Sequence, residues 1–308
     1  MSEPSAEPLL PTGMEVCFAD IEAALSGHSS DETKRAAGMA LTATIVVAGP
    51  SPRLKEAAKA LGELTDVGVR TVLISYGDNP EPAVRVSRQT VSLEGLPPQY
   101  LNNAVAALRL SSLPTLVWWR GGNVDTLKGL AALSDRLVLD AEEPREVWAS
   151  VESLAELTAV SDLRWTRLTR WRALMCHFFD IAEVRAAASG FRQLRIEGAD
   201  LDAARLFAGW LASALKWGDG VKPDLREKPG ASPIELVVLG DGTQELTLRL
   251  DGNHTCVESA ARVQGLAAAS RIVSLGDQGL AALLGEELRI RSRDLAFERA
   301  VAASKGFV

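Results

Sequence analysis

The chain is poor in the residues on which most catalytic and metal chemistry depends. Among 308 residues it has three histidines, His28, His177 and His254, and three cysteines, Cys17, Cys176 and Cys256. The cysteines are far apart, odd in number and without a C-x-x-C pair, which argues against a disulfide scaffold or zinc site and fits a reducing cytoplasm. So few histidines leave little material for a triad or a metal centre, and no G-x-S-x-G, H-E-x-x-H or G-K-[ST] pattern occurs. Gly240-Asp241-Gly242 lacks the third glycine of a dinucleotide fingerprint and lies between two strand patterns, so it reads as a turn. No run of about 18 apolar residues occurs, and MSEPSAEPLLPTG at the N-terminus has neither a basic region nor a long apolar core; a membrane span and an export signal are not expected. Positive charge is in deficit, 33 Lys plus Arg against 40 Asp plus Glu, a formal charge of -7 that demotes nucleic acid as a partner. These patterns assign no catalytic residue, cofactor or metal.

What is present is ordinary for a soluble globular protein, 47% hydrophobic and 24% charged. The length allows two domains of about 150 residues. A Pro, Ser and Glu rich stretch over 1–13 reads as a mobile tail, followed by a short helix at Phe18–Leu25 and a polar connection at His28–Arg35. Buried strands are expected at Ala43–Ala48, Val69–Ser75, Thr115–Trp119 and Leu137–Leu139, with one half-exposed strand over Val84–Leu93. Helices are expected after Ser51, which reads as a cap, and over Gln99–Leu110, Asp125–Leu133 and Pro144–Leu157. The second half repeats the theme. A helix from Asp162 leads to a strand at Gln193–Ile196, a helix at Leu201–Leu215, a hairpin of Ile234–Leu239 with Leu246–Leu250, and helices near Leu280–Leu288 and Ser292–Ala303. Residues 218–233 are too polar and Pro/Gly rich for a core element. The expected fold is α/β: two α/β domains, 14–160 and 161–308, each a mixed, partly parallel sheet flanked by helices.

The densest chemistry lies in Asp162–Asp180, DLRWTRLTRWRALMCHFFD, with four arginines and two tryptophans in one expected helical span. At roughly 100° per residue, Trp165, Leu168, Trp171, Leu174, Met175, Phe178 and Phe179 share one apolar face. Arg164, Arg167 and Arg172 project from the same arc, and only Arg170 lies toward the other side. Buried guanidiniums must pair with carboxylates, stack on indoles or contact a partner. Asp162, Asp180 and the acidic run Asp140–Glu143 are available for internal pairing, and that reading stands beside an interface. Upstream, Trp118 and Trp119 should face opposite sides of a sheet and suit core packing, while Arg120, before Gly121 and Gly122, falls where α/β sheets gather ligand and partner surfaces. Gly49-Pro50-Ser51-Pro52-Arg53 stands at a strand-to-helix junction able to hold a phosphate, but two prolines remove donors, which favours plain capping. Cys176 beside His177 suggests a thiolate–imidazole pair, yet neighbours on a helix point about 100° apart and do not face each other.

D-L-x-W-x-R-L-x-x-W-R with its apolar run ending in Phe178-Phe179-Asp180, LPTLVWWRG at Leu113–Gly121, and LFAGWLASAL at Leu206–Leu215 resemble the OpcA family of glucose-6-phosphate dehydrogenase assembly proteins. The similarity runs over most of the chain. One departure is that the family's first strand usually follows an arginine and contains Asn-Leu-Val, whereas Arg35 here leads through GMALTATIVVAG. The resemblance implies a non-catalytic cytoplasmic protein that binds glucose-6-phosphate dehydrogenase, favours its active oligomer and raises its activity, at the first step of the oxidative pentose phosphate pathway. With it, Arg120, Trp165, Arg167, Trp171 and Arg172 are expected at, or directly supporting, the partner surface, and Trp118, Trp119, Asp162, Arg164 and Asp180 behind them. The competing reading is a sugar-phosphate sensor or small-molecule α/β enzyme with the arginines as an anion clamp. Redox control through cysteines, attributed to some family members, finds no matching pairing here.

Overall fold

The computed structural model describes residues 41–64, 68–76, 83–87, 89–218, 220–266, 269–290 and 292–307. The tail, the Phe18–Leu25 helix, the His28–Arg35 connection, Cys17 and His28 lie outside the described residues. The chain divides into two compact units, one running to Asp162 and including Leu284–Arg293, the other comprising Leu163–Leu283 with the residues from Asp294 onward.

In the first unit the continuous apolar runs become parallel strands, because a strand covered on both faces has no polar side to show. The elements are β1 (Ala43–Pro50), α1 (Ser51–Gly62), β2 (Val69–Tyr76), β3 (Ala83–Ser87), β4 (Thr90–Glu94), α2 (Leu101–Leu108), β5 (Thr115–Trp119), α3 (Leu127–Ala132), β6 (Arg136–Leu139), α4 (Pro144–Trp148), α5 (Val151–Ala155) and β7 (Ala159–Asp162). They form one sheet in the order β3-β4-β2-β1-β5-β6-β7. All its pairings are parallel except the edge pair β3 and β4. Two expectations are corrected. Val84–Leu93 is two antiparallel strands and not one, and Pro144–Leu157 breaks between α4 and α5, where the Ser150 carbonyl accepts the Ser153 hydroxyl at 2.9 Å. Leu284–Arg293 joins this unit through Glu287, which is 1% exposed. Glu287 accepts from Arg136 Nε at 2.6 Å and from the Ser161 hydroxyl at 2.9 Å.

The second unit begins with α6 (Leu163–Arg167), α7 (Thr169–Phe178), α8 (Ala182–Ala187), β8 (Gln193–Gly198) and α9 (Leu201–Ala214). Then follow β9 (Asp224–Glu227), β10 (Leu236–Gly240), β11 (Glu245–Leu250), β12 (Cys256–Arg262), β13 (Ala269–Ser274), α10 (Leu280–Arg289), whose part from Leu284 belongs with the first unit, and α11 (Leu295–Ser304). The sheet order is β13-β12-β11-β10-β8-β9; β8 and β9 are parallel across α9, and the remaining pairs are antiparallel. The segment expected to hold no core element contains β9, an edge strand of mostly exposed residues, which is why its composition looked like a loop. The single helix expected from Asp162 also needs correcting. Asp162 closes β7, and the helix loosens at Leu168, although Leu168 N to Arg164 O at 3.1 Å and Arg172 N to Leu168 O at 2.9 Å carry it across. Helices α9 and α11 approach closely at Gly209, where a Cβ would stand 2.2 Å from the Ala300 carbonyl oxygen. That contact accounts for the glycine in LFAGWL.

Candidate functional site

In the first sheet the strand order reverses between β1 and β5, the place where doubly wound folds open a ligand crevice beyond the strand carboxyl ends. Here Arg120, the residue after β5, fills it and is 3% exposed. Its Nε donates to Asp140 at 2.8 Å, one terminal nitrogen to Glu56 at 2.8 Å, and the other to the Arg53 carbonyl. Arg53 reciprocates onto the Arg120 carbonyl at 2.8 Å and lies 3.3 Å from Asp140. The Arg120 guanidinium sits 4.6 Å from the Trp118 ring centroid. Arg53 also lies 3.9 Å from Glu142, so the two arginines are answered by three carboxylates, Glu56, Asp140 and Glu142, and each guanidinium is further held by a carbonyl.

The turn beneath it does not fit the pyrophosphate of a dinucleotide. Pro50 and Pro52 have no N–H to give, and a Cβ at Gly49 would lie 2.9 Å from Arg120 Cβ. Ser51 is the first residue of α1 and not its cap; Pro50 holds that position without a side-chain hydrogen bond. Trp118 and Trp119 are 0% and 1% exposed, as core packing requires. On the Trp119 side, burial pushes the Tyr76 phenol well up, opposed by Trp119 and Arg53, although neither the hydroxyl nor the indole N–H completes a hydrogen bond of acceptable geometry. Gly122, at φ +124°, leaves room for that ring, since a Cβ there would meet the Tyr76 hydroxyl at 2.2 Å.

The signature helix of the second unit is bolted down by two aspartates. Asp200 caps α9 with one oxygen, accepting from the Asp202 and Ala203 amides, and takes Arg164 Nε at 3.0 Å with the other. Asp294 caps α11 the same way, accepting from Ala296 and Phe297, and takes Trp165 Nε1 at 2.7 Å. The Arg172 guanidinium covers the Trp165 ring at 3.6 Å to the centroid, and Phe297 packs near that ring at 5.8 Å between centroids. Two of the three guanidiniums on the apolar arc are thus accounted for, one by a carboxylate and one by an indole. Trp165 and Trp171 are buried, at 2% and 3% exposure. Arg167 is half-buried, with no hydrogen bond or ion pair among the described residues.

Asp200, the carboxylate that takes Arg164 Nε, is not among those named from the sequence. Asp140 serves Arg120 and Arg53. Asp162, fully buried, accepts the Trp148 indole N–H at 2.9 Å. Asp180 is exposed, and its carbonyl accepts from Arg185. Sequence reasoning missed Asp200, Asp294 and Phe297. An aspartate ahead of an apolar helical pattern is a readable cap signal; its second oxygen's partner is not. Arg120 belongs to the first unit and the helix residues to the second. Cys176 is exposed and Cys256 half-buried, both as thiols. The Cys176 thiol is pushed up by burial and by Asp180, against the pull of Arg172. Among the described residues no three metal-ligating side chains converge, and no helix is long and apolar enough to cross a membrane.

Fold and site together define an α/β protein of the doubly wound type whose strand-reversal crevice is closed by its own charges. A levoglucosan dehydrogenase solved with NADH and L-sorbose is similar in fold, with a TM-score of 0.51 at 9% identity over 87% of this chain and 91% of that one. Residues 158–301 match the family described as the C-terminal domain of the glucose-6-phosphate dehydrogenase subunit. The OxPP cycle protein OpcA of Synechocystis sp. is 26% identical over 66% of this chain, and that of Nostoc punctiforme is 32% identical over 38% of it. Residues 158–301 carry the OpcA family's domain, and the chain is similar to these OpcA proteins. The matched regions span 51% and 27% of the lengths of these two relatives.

Proposed function

We propose that this chain is a non-catalytic assembly factor that binds glucose-6-phosphate dehydrogenase, favours its active oligomer and so raises activity at the head of the oxidative pentose phosphate pathway. The observation that carries this reading is the match of residues 158–301 to a domain family named for that dehydrogenase. It is supported by what the signature side chains do: Arg164 and Trp165 are fixed to helix caps, and Arg172 is stacked on Trp165. Such an arrangement suits a rigid platform for recognition better than a reactive centre. In this reading Arg120, Trp165, Arg167, Trp171 and Arg172 lie at or directly support the partner surface, with Trp118, Trp119, Asp162, Arg164 and Asp180 behind them.

An activator must bind the active state more tightly than the inactive one, and about 1.4 kcal/mol of difference shifts the balance tenfold. The test is the activity and sedimentation of the cognate dehydrogenase with and without this protein. Higher activity together with larger species is expected; no change in either sinks the proposal. The placement of the surface fails if Arg172→Ala unfolds the protein yet leaves binding per folded molecule intact.

A further inference from the structure

The second unit holds a cavity of about 460 Å³ beside α6 and α7, within the range that small-molecule sites occupy. Its polar lining includes Arg164, Arg167, Trp171, Asp200, His254 and Gln278, with Ser232 beside His254, set among aliphatic walls. Two cations face one carboxylate, and that carboxylate is already engaged by Arg164 and two helix amides. Arg167 keeps its donors unused among the described residues, and the Trp171 indole N–H also makes no hydrogen bond there. His254 is held in the left-handed region at φ +57°, a conformation that persists only when its surroundings fix it. They do so here: Asp251 takes the Thr255 and Cys256 amides at 2.8 and 3.0 Å, and the His254 Nδ1 lies 2.8 Å from the Ser232 hydroxyl. Its other ring nitrogen makes no hydrogen bond among the described residues. Gln278 supplies the complement. Its amide nitrogen donates to the Leu275 carbonyl at 3.1 Å, while its Oε1 is buried without a donor.

A lining with more unengaged donors than a carboxylate's two oxygens absorb suits a phosphate, which offers three. A buried orphan carbonyl asks for a hydroxyl in addition. We propose that this cavity binds a phosphorylated sugar, with the phosphate on Arg167, a sugar hydroxyl on Gln278 Oε1 and the less polar face of the sugar against Trp171. The inference stands apart from the assembly reading, because it concerns the isolated chain.

The experiment is isothermal titration calorimetry of the full chain, without any dehydrogenase, against glucose 6-phosphate, ribose 5-phosphate, glucose and inorganic phosphate. Expected is saturable binding of at least one sugar phosphate, about tenfold or more tighter than inorganic phosphate or glucose. Arg167→Ala, a change at a side chain with no partner to lose among the described residues, should weaken that binding about tenfold or more with the near-ultraviolet circular dichroism unchanged. Gln278→Leu should weaken the sugar phosphate and leave inorganic phosphate as it was. Absence of binding by both sugar phosphates overturns the proposal, as does equal affinity for inorganic phosphate, or binding untouched by Arg167→Ala in a folded variant. A silent titration here leaves the assembly reading standing, and a failed activation assay leaves this one.

Discussion

Asp200 and Asp294 each use one carboxylate oxygen to cap a helix and the other to grip the signature helix, at the neighbouring residues Arg164 and Trp165. Asp294→Ala therefore removes a cap and also strands a buried indole N–H, a combined loss of about 2–3 kcal/mol. Asparagine has a single acceptor oxygen, enough for the cap but not for the Trp165 indole N–H as well, so Asp294→Asn should keep the cap and lose the indole's share, about 1–2 kcal/mol in urea unfolding; no loss, or a loss equal to that of Asp294→Ala, would contradict the double role. Cys176 gives a second test. With its thiol raised above the ordinary 9.0, alkylation by iodoacetamide should still be climbing at pH 9, without the plateau that a low-pKa reactive thiol shows at neutral pH. At this level the sequence was partly legible. Guanidiniums on an apolar arc had to stack, pair or reach a partner, and Arg172 stacks while Arg164 pairs. Asp200 and Asp294 were out of reach because their partners are 36 and 129 residues away in the chain.

Regular elements were legible where one physical rule decided them. Apolar runs bounded by Gly or Pro became β1 and β2, and Gly240-Asp241-Gly242 became the β10–β11 turn. Elements decided by their neighbours were not. β13 is built of Ala, Ser, Arg, Ile and Val with little strand signal of its own, and it exists as the antiparallel edge partner of β12. Two turns carry an acid sensitivity. The Asp241 carboxyl is depressed chiefly by the Gln244 and Thr243 amides, and Asp251 chiefly by the Cys256 amide. A depressed carboxylate contributes stability that is full above its ordinary value of 3.8 and lost as pH falls through the folded value. Asp241→Asn and Asp251→Asn should lower Tm at pH 7 and converge with the parent as the solution is acidified below that value. Gly209→Ala tests packing against propensity. Alanine favours a helix by about 1 kcal/mol, but the collision with the Ala300 carbonyl costs about 1–3 kcal/mol or more, so the variant should be less stable. Gly62→Ala, at the end of α1 with nothing within 4 Å, should be neutral or stabilising by about 0.5–1 kcal/mol.

Across the whole molecule, the chain path is less simple than a boundary near residue 160 suggests, because Leu284–Arg293 belongs with the first unit. Its Glu287 is the buried counter-charge of Arg136, 2.6 Å away, and a buried pair is costly to break by halves. Glu287→Ala should cost about 3–5 kcal/mol in chemical denaturation, whereas the apolar double replacement Arg136→Met with Glu287→Leu should recover most of it. Equal destabilisation by both would show that packing, and not charge, governs the site. The same pair sets a timetable during synthesis. Six parallel-paired strands leave the ribosome with Arg136 among them long before the carboxylate that neutralises it has been made. The usual order, in which an N-terminal unit completes itself while the rest is still being translated, is therefore closed to this chain. A fragment ending at Asp162 should be readily cut by protease, and the full chain, which supplies Glu287, should resist.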